Sequence, residues 1–176
     1  MDSVLQLISS MKNEADRLWK NINIAQKAEL QANQVRNLTQ KVSIMDQINF
    51  KKEVTSSMEN AVILVTEKLK EEGFGILTRI DLHEKIKEKL NKEIKPAIIL
   101  GACNPQLAFE AYCRNSDVAS LLPCNAVLRD IGNGKVSVEL AKPTSLMKML
   151  NDEKLVELSR EADNRLAAAL QKMWIF

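Results

Sequence analysis

Over the first 45 residues, apolar positions recur at steps of three and four, which is the spacing of a and d positions in a heptad repeat. The row consists of Val4, Ile8, Met11, Ala15, Leu18, Ile22 and Ala25. After a slip of phase, it continues through Ala28, Ala32, Val35, Leu38, Val42 and Met45. The pattern predicts a helix of about 40 residues, roughly 60 Å long.

Three arrangements are open to this helix. It can join two chains, fold back on its own domain, or lie on a membrane surface. Its polar face mixes both charge signs instead of being rich in Lys and Arg, which argues against lipid. We therefore expect residues 1–46 to form an amphipathic, coiled-coil-like assembly helix. The predicted contact residues are Val4, Ile8, Met11, Leu18, Ile22, Val35 and Leu38.

From residue 47 onward, short runs of β-forming residues alternate with helical stripes, and this order predicts one α+β domain over 47–176. The apolar run Ala97–Leu100 is typical of a central strand. The turn sequence Gly132-Asn133-Gly134 predicts a hairpin. Asn104-Pro105 is a strong helix start. Asp81 is predicted to cap a short helix whose buried stripe is Leu82, Ile86 and Leu90.

Three segments of this domain resemble the hallmark motifs of domain-of-unknown-function family 302. They are Gly73-Phe74-Gly75-Ile76-Leu77-Thr78, Leu100-Gly101-Ala102-Cys103-Asn104-Pro105 and Leu121-Leu122-Pro123-Cys124-Asn125. The resemblance covers residues 48–174 and leaves the N-terminal helix outside. It implies a TATA-binding-protein-like fold, in which a curved antiparallel sheet packs on a long C-terminal helix. It implies no established activity.

Two positions depart from the family pattern. Family members commonly carry an acidic residue after the Thr that corresponds to Thr78, and another before the Pro that corresponds to Pro143. This chain has Arg79 and Lys142 there. If the two positions line a sheet–helix cavity, they are candidate contacts for a small anionic ligand.

Cys103 and Cys124 are the candidate chemical groups of the motifs. Cys103 immediately precedes a predicted helix start, where the helix dipole lowers a thiol pKa. Cys124 follows the turn at Pro123, and each cysteine precedes an Asn (Asn104, Asn125) whose amide can donate to sulfur. These four residues form a candidate thiol or ligand site, serving redox chemistry, sulfur transfer or a soft metal. Two buried, inert cysteines are the alternative.

Composition removes several function classes. With 25 Lys+Arg against 23 Asp+Glu, the net charge of +2 gives no electrostatic case for nucleic acid. Two Trp and one Tyr offer little for base stacking. A single histidine excludes a multi-histidine metal centre within one chain, and no Ser-His-acid set can be assembled around it. We predict no catalytic residue, no resident metal and no cofactor.

No run of 18 or more apolar residues occurs, so the sequence predicts no membrane span. The three cysteines are odd in number and form no CxxC pair, and the first residues do not resemble a secretory signal, so we expect a cytoplasmic protein. The predicted function is non-enzymatic self-association into a dimer, larger oligomer or filament. The thiol module and the anionic-ligand cavity are the alternatives.

Overall fold

The computed structural model describes residues 2–173 of the 176-residue chain. Within the first helix, the side chains that lie outside the described residues are those at positions 2–5, 7, 19, 22 and 35–47. The chain divides into two compact units between Ile44 and Met45.

The first helix, α1, runs without a break over Asp2–Ile48. The phase slip in its apolar row therefore does not interrupt the backbone, as expected for a segment that contains neither Gly nor Pro. Ile8, Met11 and Leu18 are 58%, 64% and 58% exposed. The other four predicted contact residues have side chains outside the described residues: Val4, Ile22, Val35 and Leu38.

The second unit is an α+β domain with an antiparallel sheet and a long C-terminal helix, which confirms the predicted fold class. Its strands are β1 (Asn49–Thr55), β2 (Gly75–Asp81), β3 (Ala97–Cys103), β4 (Cys124–Gly132) and β5 (Lys135–Ala141). Its α-helices are α2 (Met58–Glu71), α3 (Leu82–Leu90), α4 (Pro105–Arg114), α5 (Pro143–Met147) and α6 (Glu153–Gln171). Two short 3₁₀ helices lie at Ser116–Leu121 and Lys148–Leu150.

The five strands pair in the order β1-β5-β4-β3-β2, and every pair is antiparallel. Helices α2 and α6 cover one face of this sheet, and the main core lies between the sheet and these two helices. Its fully buried leucines include Leu69 of α2, Leu128 of β4 and Leu166 of α6. At the β1 edge, Lys52 Nζ donates to the carbonyl oxygens of Leu170 and Gln171 at 3.2 Å each, and so ties the sheet to the end of α6.

Local signals account for most helix ends. Ser57 caps α2 through a hydrogen bond from Asn60 N at 3.2 Å, and Gly73, with φ of +81°, reverses the chain after α2. Asp152 Oδ1 caps α6 by accepting from Leu155 N at 3.1 Å.

Helix α3 begins at Leu82 with Asp81 at its N-cap position, as predicted, but the predicted capping bond and buried stripe are wrong. Asp81 makes no capping bond, because Arg79, two residues earlier on the same strand, holds its carboxylate with contacts of 2.7–3.2 Å. The predicted stripe of Leu82, Ile86 and Leu90 contains no buried residue. Helix α3 follows the edge strand β2 and packs mainly on β2 and β3, so the sheet covers it only in part.

Candidate functional site

The structure brings Cys103 and Cys124 to one pocket. Cys103 ends β3, and Cys124 begins β4 in register with Ala102, the residue just before Cys103. Asn104, which follows Cys103 in the chain, lines the same pocket. Three of the four residues of the predicted thiol site are therefore together, whereas Asn125 is exposed and outside the pocket.

The pocket is small and its walls are mostly apolar. Helices α4, α5 and α6 close it over the ends of β3 and β4, and its wall residues include Phe74, Leu107, Leu122, Met147 and Ala162. It offers ≈ 40 Å³ to the centre of a water molecule, where one bound water needs about 10–15 Å³. The cavity therefore suits an ion or a group of a few atoms.

Asn104 is a buried polar residue of the pocket. Its Oδ1 accepts from Leu107 N at 3.1 Å and caps α4, as the sequence predicts. Its amide lies against Gly73, where a Cβ would come within 2.9 Å of Asn104 Nδ2. Gly73 thus meets two demands, a positive φ and the close approach of this amide.

A second contact, at Gly101 of β3, joins all three motif segments. A Cβ on Gly101 would lie 2.3 Å from Thr78 Oγ1 and 2.6 Å from Pro123 Cγ. The Leu122–Pro123 peptide bond is cis. Thr78, Gly101 and Pro123, one from each motif, are therefore packed against one another next to the cysteines.

The expected lowering of the Cys103 pKa is wrong. Burial raises the pKa of the Cys103 thiol above its ordinary value. Burial also raises the pKa of Cys124 to about 11, with smaller contributions from Cys103 and from Asp163. Both thiols are thus protonated at neutral pH and are poor nucleophiles there. Cys113 is exposed on α4 and does not line the pocket.

Met147 enters the site through the docking of α5 on α6. Asp163 of α6 accepts two hydrogen bonds from Thr144 at the start of α5, one from Oγ1 at 2.6 Å and one from the backbone N at 3.2 Å. Met147 is buried at the end of α5 and lines the pocket with the two cysteines. No sequence motif marked Met147, because its place depends on contacts between segments distant from the cysteines along the chain.

The two predicted anion contacts are apart. Arg79 lies on the edge strand β2 and forms an ion pair with Asp81. Lys142 follows β5 and its Nζ lies 4.8 Å from the centroid of the Phe50 ring. Strands β4 and β3 separate β5 from β2, and neither cation lines the cysteine pocket.

Within residues 2–173, no group of three or more His, Cys, Asp or Glu side chains is placed to hold a metal ion. None of the helices in that range has the length and apolar character needed to cross a bilayer.

A family model described as domain of unknown function DUF302 matches residues 50–173. The chain belongs to the DUF302 family. A similar solved structure is the uncharacterized conserved protein DUF302 from Bacillus stearothermophilus, with 35% identity and a TM-score of 0.66. The match covers 70% of this chain and 96% of that chain. No curated protein matches.

Family membership gives the pocket its context. The hallmark motifs of DUF302 converge in this structure, with Phe74, Cys103 and Cys124 lining the pocket and Thr78, Gly101 and Pro123 packed beside it. The helix α1 lies wholly before the matched residues 50–173. The pocket therefore lies within the family domain, and α1 is an addition to it.

Proposed function

We propose that this protein is a non-enzymatic, self-associating protein in which α1 assembles copies of the DUF302 domain. The observation that carries the proposal is the exposure of Ile8, Met11 and Leu18 on one uninterrupted helix. Long helices gain most of their stability from packing an apolar face, not from helix propensity. An exposed row at heptad spacing is complementary to an identical row, so the partner we propose is a second copy of α1.

Burial of the row provides the driving force. Each large apolar side chain removed from water contributes roughly 1.5–3 kcal/mol when fully covered. Ala15 and Ala25, small members of the row, allow two helices to approach closely. The mixed charges that flank the row suit pairing of like helices, since each chain supplies both signs.

Light scattering on the full chain at micromolar concentration tests the proposal. We expect a mass at least twice the 19.8 kDa of one chain. The double variant Ile8→Glu with Leu18→Glu places charges in the row and is expected to shift the mass to that of one chain. The matched control is Asn13→Glu with Lys20→Glu, which changes the opposite face of the same helix and leaves the assembly intact.

A monomeric full chain contradicts the proposal. So does an oligomer whose mass is the same in the row variant and in the matched control, because the exposed row would then not be the contact.

A second candidate function is the binding of a small ligand by the cysteine pocket. It is favoured by the meeting of Cys103, Asn104 and Cys124 in one apolar cavity. The test is alkylation of the folded protein across a range of pH, comparing wild type with Cys103→Ser and Cys124→Ser. We expect Cys103 to react in the folded state and Cys124 to react slowly. Two thiols that react only after unfolding would leave both cysteines as inert packing.

A further inference from the structure

Met147, whose side chain carries a thioether sulfur, lines the pocket together with Cys103 and Cys124. The two thiols come from β3 and β4, and the thioether comes from the end of α5. Sulfur ligands select soft metal ions over ions that prefer oxygen. We propose that these three sulfur atoms bind one Cu(I) ion per chain. The proposal rests on ligand binding by this pocket, the second function proposed above.

The size and lining of the cavity favour an ion of this class. The ≈ 40 Å³ open to a water centre admits an ion but not a typical organic ligand, whose pockets measure about 300–1,000 Å³. Most wall residues, such as Phe74 and Leu122, carry no side-chain oxygen for a hard cation. The lining residues that do are Asn104, Glu110 and Ser159, and each of these side chains already makes a hydrogen bond within its own helix or helix cap.

The same pocket fits zinc poorly. A structural zinc site is four-coordinate and is completed by further Cys, His or carboxylate ligands. Glu110 also lines the pocket, but among residues 2–173 no three His, Cys, Asp or Glu side chains are placed to hold one metal ion. The chain has one histidine. This residue, His83, lies on α3 with Nδ1 3.1 Å from Ala97 O, and it does not line the pocket.

Binding is an exchange of protons for the metal. Sulfur–copper bonds form to both cysteines and to Met147, and each thiol releases its proton to water. The oxidation states of copper and sulfur do not change. The filled site carries one net negative charge, and the Nδ2 hydrogens of Asn104 are available to donate to a thiolate, since its Oδ1 is already used by Leu107 N.

No basic side chain is among the pocket-lining residues, so none is placed there to activate a thiol as a nucleophile. A coordinated metal, by contrast, deprotonates a thiol outright. The pocket therefore suits metal binding better than nucleophilic attack.

The test is a titration of the reduced, full-length protein with Cu(I) under anaerobic conditions, in competition with a coloured Cu(I) chelator. We expect one Cu(I) per chain to be retained, and Ag(I) to compete for it. Loss of a metal ligand lowers the affinity at least as much as loss of an outer-shell partner. We therefore expect Cys103→Ser or Cys124→Ser to weaken Cu(I) binding about a hundredfold or more. Met147→Leu is expected to weaken it about tenfold. The matched controls are Cys113→Ser and Met149→Leu, at exposed positions outside the pocket, and both leave the affinity unchanged.

Three results overturn the proposal: no retained Cu(I), equal retention by wild type and the Cys103→Ser variant, or Zn(II) bound as tightly as Cu(I). Circular dichroism checks the fold of each variant, and if Cys124→Ser does not fold, Cys103→Ser and Met147→Leu decide. Alkylation and light scattering on the same samples report pocket access and assembly separately. A protein that assembles, and whose Cys103 reacts in the folded state, but that releases Cu(I), contradicts the metal proposal alone.

Discussion

Helices α1 and α6 carry the same kind of apolar row, but the structure treats the two rows differently. In α6, Leu155 and Leu166 are 0% and 2% exposed and belong to the buried core clusters. In α1, Ile8 and Leu18 are both 58% exposed. Helical periodicity therefore identifies the apolar face of a helix but does not identify what covers that face.

The apolar rows of the two helices differ in how they can contribute to stability. The row of α6 is buried by the sheet and by helices α2, α4 and α5 of the same chain, so its contribution is present in every folded monomer. The described side chains of α1 offer no buried row, and under the pairing of α1 helices proposed above, the free energy from burying the row would depend on chain concentration. Mutations in the two rows should therefore have different kinds of effect.

The largest expected effect is on the α6 row. Leu166→Ala removes a fully buried side chain and is expected to lower the free energy of unfolding by about 2–5 kcal/mol. Leu18→Ala, the same change in the α1 row, is expected to leave the stability of the domain within about 0.5 kcal/mol while weakening self-association. Urea unfolding monitored by near-ultraviolet circular dichroism checks the first effect, and light scattering checks the second. Equal losses of domain stability would remove the distinction between the rows.

The next effect concerns the cysteines, all of which lie in the domain. The pKa of about 11 for Cys124 lies two units above the ordinary value, which reduces the thiolate fraction at neutral pH about a hundredfold. Alkylation of Cys124 is therefore expected to be at least that much slower than that of an ordinary thiol, and its rate should rise about tenfold per pH unit up to about pH 11. Exposed Cys113 serves as the internal reference in mass spectrometry of each sample. A Cys124 that reacts as fast as Cys113 at pH 7 would contradict its burial.

A smaller loss is expected at the packed motif glycine. In Gly101→Ala the new Cβ must displace Thr78 and Pro123, at an expected cost of about 1–3 kcal/mol in unfolding free energy. Gly75→Ala is the matched control, because a Cβ there meets nothing within 4 Å, and we expect a change within about 0.5 kcal/mol. Thermal unfolding of both variants measures the difference. Equal melting temperatures would show that the contact of the three motifs does not constrain Gly101.

The smallest expected effect is electrostatic and lies on the outer face of the sheet. Burial alone would raise the pKa of Glu139, but hydrogen bonds from Arg129 and Ser137 outweigh it, and the pKa is lowered from 4.5. The stabilisation is therefore complete above the unfolded-state pKa and is lost as pH falls through the lower folded-state pKa. Glu139→Gln is expected to flatten the acidic part of the stability profile, whereas Glu53→Gln, at an exposed position, is not. An unchanged acidic slope in Glu139→Gln would contradict this assignment.

Features set by a few neighbouring residues were predictable from the sequence. The Asn104 cap and the Gly132–Gly134 turn follow from local backbone and hydrogen-bonding preferences, and both occur in the structure. The long helix follows from the apolar row at heptad spacing over residues 4–45, a segment that contains neither Gly nor Pro. The family motifs contain Cys103 and Cys124, the two cysteines that line the pocket.

Features set by packing were not predictable. Met147 lines the pocket because Thr144 is bound by Asp163, a contact that no periodicity indicates. The sign of the Cys103 pKa shift depends on burial beneath α4, which a helix-start motif does not reveal. The exposed α3 likewise follows from its position beside an edge strand.

The central claim is that the α1 row is covered by another copy of the chain. The most direct test compares the light-scattering mass of the full chain with that of a chain lacking residues 1–45. The solved DUF302 relative, 96% of which is covered by the match, indicates that the domain folds without such a helix. We expect at least two chains per particle for the full protein and a single folded domain after the deletion. A full chain that is monomeric at micromolar concentration would contradict the proposed assembly. So would a number of chains per particle that is the same before and after the deletion.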